Sequence, residues 1–224
     1  MADLTRIEVG RDGCGFRDGA LAARRLPSGP GEVRVALVAT HALLLADDHV
    51  RVEVVVDGPV ALEVVETAGT VAYDMRGRSA RWEVDVRLTG GARLTWRAEP
   101  FVVSGGADVV RSTVVDAAGG SEVTLRESIV FGRTGEVGGT LTSTTRASCS
   151  GSPALVEELH LTSDVRGGPA TMAGLRCLDS LTTLGHRLPD GPDVLQLHAT
   201  GSVRRWLGDR LHESPLQAAE VART

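Results

Sequence analysis

At 224 residues the chain has the length of one domain, read here as a single unit over residues 1–224. Its residues are 42% hydrophobic but only 3% aromatic, so Val, Leu and Ala must fill the core, as in stacked or sandwiched sheets. A formal charge of −5 argues against nucleic-acid binding, and the short basic spots Arg24-Arg25 and Arg204-Arg205 are not interleaved with aromatics.

The amino-terminal residues MADLTRIEVG lack a basic stretch followed by an apolar one, and no apolar run is long enough for a membrane-spanning helix. Three widely spaced cysteines, Cys14, Cys149 and Cys177, do not make a disulfide framework and suit a reducing cytoplasm. Cys149 and Cys177 read as small core fillers.

Alternation with period two dominates the chain. Val50, Val52, Val54 and Val56 share one face. Trp82, Val84, Val86 and Leu88 repeat the pattern, with Glu83, Asp85 and Arg87 opposite. Val123, Leu125, Ile129 and Phe131 continue it, with Glu127 as the exception. Turn signals follow at Asp57-Gly58-Pro59, Thr89-Gly90-Gly91, Ala118-Gly119-Gly120 and Ser150-Gly151-Ser152-Pro153. Each precedes another apolar segment, at an interval of roughly thirty residues. The pattern predicts an all-β fold: hairpins of antiparallel strands in a layered, β-helix-like stack, with an ordinary sandwich as the alternative.

Helix is scarce. Residues 165–193 read as a loop, or as a helix over Thr171–Leu184 interrupted by Gly174. Ser214 and Pro215 could start a helix running to Arg223.

Catalytic signatures are missing. There is no phosphate-binding loop, no dinucleotide glycine pattern, no nucleophile elbow and no Cys-x-x-Cys pair. His212-Glu213 opens like a zinc-protease helix, but Leu216 stands where the second His is needed. Asp48 with His49, and Glu157 with His160, are the candidates for a weak metal site, since carboxylate plus imidazole suits nickel or zinc.

Two segments stand out. Glu66 to Asp74 carries the single tyrosine, Tyr73, beside a run of small residues. Phe131 to Gly139 sets Arg133 and Glu136 among glycines directly after an apolar strand, which demands a tightly specified backbone.

Three stretches in order, VETAGTVAYD (65–74), LTWRAEPFVVSGGADV (94–109) and ESIVFGRTGEVGG (127–139), resemble the UreD (also UreH) family of urease accessory proteins. The likeness runs from about Ala36 to Leu161 and more loosely to the end, and the Gly-Arg-x-Gly-Glu core is its most specific part. The resemblance implies a cytoplasmic protein with no enzymatic activity and a layered β fold bearing a couple of short helices. It implies a complex with UreF and the GTPase UreG that docks on apo-urease and aids nickel incorporation, with nickel bound transiently and passed through a water-filled passage. It places Arg133 and Glu136 in the family signature, Pro100 and Gly105-Gly106 in a turn after a Trp-bearing strand, and Thr70 and Tyr73 at small-polar and tyrosine positions. One departure is Ala46-Asp47-Asp48, where the family has glycines. The rival readings are a β-sandwich enzyme and a ligand-binding module.

Overall fold

A computed structural model describes residues 3–217. The chain opens with two antiparallel hairpins, β1 (Asp3–Gly10) with β2 (Gly13–Arg17), and β3 (Leu21–Leu26) with β4 (Glu32–Ala39). Successive coils follow. The first holds β5 (His49–Asp57), β6 (Ala61–Glu66) and β7 (Thr70–Ala72). The second holds β8 (Ala80–Thr89), β9 (Arg93–Arg97) and β10 (Phe101–Val103). The third holds β11 (Asp108–Ala117) and β12 (Glu122–Phe131), and β13 (Thr140–Cys149) begins a fourth. After β14 (Ser152–Leu161) come the one-turn helix α1 (Ser163–Arg166) and β15 (Cys177–Leu184). The described chain ends with β16 (Val194–Gln196), β17 (Gly201–Gly208) and a 3-10 turn (Leu211–Glu213).

These strands form two facing sheets. One runs β14-β13-β11-β8-β5-β1-β2, the other β16-β17-β15-β12-β9-β6-β4-β3. The layered, β-helix-like stack is present, but its central pairings are parallel. β1, β5, β8, β11 and β13 pair parallel with one another in that order, as do β4, β6, β9 and β12. This corrects the expectation of stacked antiparallel hairpins. The glycine turns at 58, 90 and 120 are arches that carry the chain from one sheet to the other, so the strands they join are not hydrogen-bonded to each other. Only the fourth turn, between β13 and β14, closes a hairpin. Alternation sets which face of a strand is buried and leaves its partner open.

Parallel, in-register pairing stacks equivalent residues. Ile7, Val54, Val86, Val115 and Ala147 make one inward row; Val9, Val56, Leu88, Ala117 and Cys149 make the next. On the facing sheet Val33, Leu62, Leu94 and Val123 align, as do Val35, Val64, Trp96 and Leu125. Most of these side chains are buried in a continuous core. Outward positions stack charge instead: Arg6 lies 3.4 Å from Glu53, and Arg51 lies 2.9 Å from Glu53 and 3.0 Å from Asp85. Among the described residues no helix is long and apolar enough to cross a membrane.

Helix over Thr171–Leu184 is not formed. Gly174 turns the chain at φ +80°, and Cys177–Leu184 is a strand pairing antiparallel with β12. Residues 215–217 form a turn, and the rest of the helix proposed to Arg223 lies outside the described residues. Ser214 does act on the following turn, accepting from the Leu216 amide at 3.2 Å. Its hydroxyl also donates to Asp179. Asp179 is fully buried and takes Arg126 through both carboxylate oxygens (3.2 and 2.9 Å) and the Ser128 hydroxyl at 2.9 Å. The C-terminal segment is thus pinned onto the outer face of the second sheet by a satisfied buried network.

Two substitutions measure these terms by urea denaturation. Leu94→Ala, 2% exposed within its row, should cost about 2–5 kcal/mol. Asp179→Ala leaves a buried guanidinium without its partner and should cost about 3–5 kcal/mol. The exposed Arg87→Ala should stay within about 0.5 kcal/mol; an equally small effect of Asp179→Ala would disprove the pinning role.

Candidate functional site

The residues singled out in the sequence lie along the edge of the stack opposite the glycine arches. There β10 pairs in parallel with β7 on one side and with the end of β12 on the other, aligning Thr70, Phe101 and Ile129. This short third ladder fixes the loops that run past it. The Thr70 amide donates to the Pro100 carbonyl at 3.1 Å, and Gly69 packs so close that a Cβ there would lie 2.7 Å from that same oxygen. The Tyr73 amide donates to the Leu44 carbonyl at 3.1 Å, and the residue is 38% exposed.

Beyond Phe131 the chain enters the glycine loop. Gly132 takes φ +76° and its amide donates to the Val103 carbonyl at 2.8 Å. A Cβ at this position would stand 2.4 Å from the Glu136 carbonyl oxygen, so only glycine fits. Arg133 donates to Glu136 Oε1 through Nε (2.9 Å) and Nη2 (2.7 Å). The other oxygen of Glu136 accepts from the amides of Arg133 and Gly105, each at 3.0 Å. One carboxylate therefore ties the glycine loop to itself and to the Gly105-Gly106 turn. The Arg133 guanidinium and these two amides hold Glu136 down to about 2, well below the usual carboxylate range. That contribution to stability is present above the ordinary value of 4.5 and is lost as pH falls through about 2. Glu136 in turn holds the Arg133 guanidinium up, and the Tyr73 phenol acts on it in the same direction. Thr70, Tyr73, Pro100, Arg133 and Glu136 thus belong to one edge.

Two arginines that the sequence reading passed over clamp the loop. Arg166, 5% exposed at the end of α1, donates to the carbonyls of Val137 (2.8 Å) and Gly139 and lies 4.0 Å above the Phe131 ring. Arg176 donates to the carbonyls of Phe131 (3.2 Å), Gly132 (2.7 Å) and Arg133 (3.2 Å). The outward guanidinium of Arg133, 56% exposed, is consequently displayed on a backbone fixed from both sides.

Charge also enters the space between the sheets. Arg111 occupies the same inward row as Val50 and Trp82, and it pairs with Glu127, the exception to the alternation of β12. Thr113 donates to the same carboxylate at 3.3 Å. Nearer the end of the stack, Arg205 grips Glu157 through two bonds of 2.8 Å, joining β17 to β14. At the other end Glu66 accepts from the Trp96 indole and the Glu99 amide, both at 3.1 Å. Burial pushes its carboxyl up to about 7 against these bonds.

The metal candidates do not converge. Asp48 accepts from the Leu45 amide at 2.7 Å, and His49 Nε2 lies 3.1 Å from Glu83. Glu157 is committed to Arg205, and His160 Nδ1 contacts the Thr142 hydroxyl at 2.9 Å. β5 and β14 are four strand spacings apart, about 19 Å. Among the described residues no three His, Cys, Asp or Glu side chains group as metal ligands. Cys177 is buried as a core filler, whereas Cys149 is only partly covered.

Comparison with known proteins gives the family. Residues 16–221 match the family model described as UreD urease accessory protein. The chain is similar to urease accessory protein UreD 1 of Streptomyces griseus, at 40% identity over 98% of this chain and 89% of the relative. It is also similar to urease accessory protein UreD of Frankia alni (36% identity, 80% and 67% covered) and of Streptomyces avermitilis (33%, 75% and 68%). A family match that takes in nearly every coil, with a relative 40% identical over 98% of the chain, shows that the chain belongs to the UreD family of urease accessory proteins, which supports a role in urease maturation.

Proposed function

We propose that this chain is a non-enzymatic scaffold of urease maturation in the cytoplasm, binding apo-urease together with the UreF and UreG accessory proteins and assisting GTP-dependent incorporation of nickel. Nickel is cargo in this reading, held transiently. The observation that carries it is the loop edge: five residues of the family resemblance meet on one rigid border, with Arg133 pointing outward from a backbone held by Glu136, Arg166 and Arg176. A rigid, pre-ordered loop loses little freedom on docking, which favours protein recognition. A guanidinium already oriented by a carboxylate can still donate its remaining N–H groups to a partner.

The test is a reconstituted nickel-loading assay with apo-urease, UreF and UreG. Arg133→Ala should reduce urease activation several-fold and weaken recovery of the complex by pull-down, while the melting temperature changes little, because the pair is exposed. Glu136→Ala should act in the same direction with a larger loss of stability, since it also frees the Gly105 amide. Arg78→Ala and Arg87→Ala serve as surface controls. Full activation by both loop variants with normal complex recovery would sink the assignment.

A further inference from the structure

Between the first hairpins and the loop edge lies a pocket of about 180 Å³. Four buried apolar side chains, Leu21, Leu37, Leu43 and Trp82, form part of its wall. Trp82 is itself fixed edge-on against Phe101, with ring centroids 5.7 Å apart. Thr70 and the more exposed Tyr73 also line the cavity, which places it on the edge assigned above to partner binding. The one charged side chain lining it is Glu66.

The charges that face Glu66 do not balance. Arg111 on β11 acts on it favourably and Glu127 on β12 unfavourably, but these two are already paired with each other. The remaining contacts of its carboxylate are neutral donors, the Trp96 indole and the Glu99 amide. Ionised Glu66 therefore leaves one net negative charge among these three groups, beside an apolar cavity. A divalent metal is a poor fit, because such ions need several oxygen or nitrogen ligands and the pocket lining supplies one carboxylate and no histidine. A lysine side chain matches both features. Its methylene stem suits the leucine and tryptophan walls, and its ammonium supplies the missing charge.

We propose that this pocket receives the side chain of a lysine presented by a partner protein, with the ammonium bound by the Glu66 carboxylate and the stem packed against Leu21, Leu37, Leu43 and Trp82. The partner's approach from the loop edge rests on the scaffold reading; binding of the cation itself does not. Because a bound cation favours the ionised carboxylate, occupancy lowers the pH at which Glu66 titrates, from about 7 in the free protein. Below that pH protonated Glu66 competes with the cation, so binding weakens as the solution is acidified.

The Trp96 indole N–H reads this directly, since it donates to Glu66. Its nitrogen-15 correlation, assigned with Trp96→Phe, is followed in the isolated protein as n-butylammonium chloride is added. A saturable shift is expected at pH 8. The titration midpoint should fall by about one pH unit at roughly ten times the dissociation constant, as linkage requires. Glu66→Gln should abolish both effects while the Trp82 and Trp206 indole signals keep native positions. n-Butanol, the same stem without charge, should leave the midpoint in place. No saturable shift, or an equal response to n-butanol, overturns the proposal. So does selective broadening of Trp96 by nickel chloride with no response to the amine, which would make the site a metal site. A failure here leaves the scaffold reading standing, and a failed nickel-loading assay leaves an observed amine response standing.

Discussion

Parallel, in-register pairing is the constraint from which the rest of the molecule follows. Once β5 lies beside β8 with Val54 against Val86, every residue of one coil has a fixed counterpart in the next. Valine, leucine and alanine can then fill a core with few aromatics, because small branched side chains stack in rows without gaps. The same rule carries a cost. A polar residue at an inward position must find its partner inside, as Arg111 finds Glu127, or it would forfeit solvation without return.

The division of labour between the two borders of the stack also follows from this. The arches at Gly58, Gly90 and Gly120 are short and nearly equivalent, so they only return the chain from one sheet to the other. The opposite border is irregular, and its loops are held by side chains reaching backbone carbonyls. Glu136, Arg166 and Arg176 together account for the fixed course of residues 131–139. Gly139 adds to this, since a Cβ there would come within 2.1 Å of the Ala107 carbonyl oxygen. A surface built in this way is specific before any partner arrives.

Much of this was legible in the sequence, for identifiable reasons. The buried faces of β5 and β8 followed from alternation, and the interval between glycine turns matches the spacing of β5, β8, β11 and β13. The direction of pairing was hidden, because a Gly-containing turn between two apolar segments looks alike in a hairpin and in an arch. Glu127 announced itself by breaking the alternation. Arg111 likewise places a charge in the inward phase of Val109, Thr113 and Val115 and could have been found by the same sign. Arg166 and Arg176 left no such sign: they lie in a poorly patterned stretch and act on backbone oxygens, which carry no sequence signature. Asp48 and His49, and Glu157 and His160, were close in pairs along the chain, yet the sheet order sets the pairs at distant strands.

The buried carboxylate of Asp179 has a consequence for how the protein is made. A chain emerging from the ribosome can add coils one after another, since each parallel strand needs only its predecessor as a template. Asp179 and Arg126 are in place once β15 has paired with β12, but the Ser214 hydroxyl that completes their network belongs to the last part of the described chain. That part of the sheet can shed its water only after the segment carrying Ser214 has been made. The segment at Ser214 thus works as a seal applied after the coils it covers have formed, and a chain cut shortly before Ser214 would keep its coils while this part of its outer sheet remains wet.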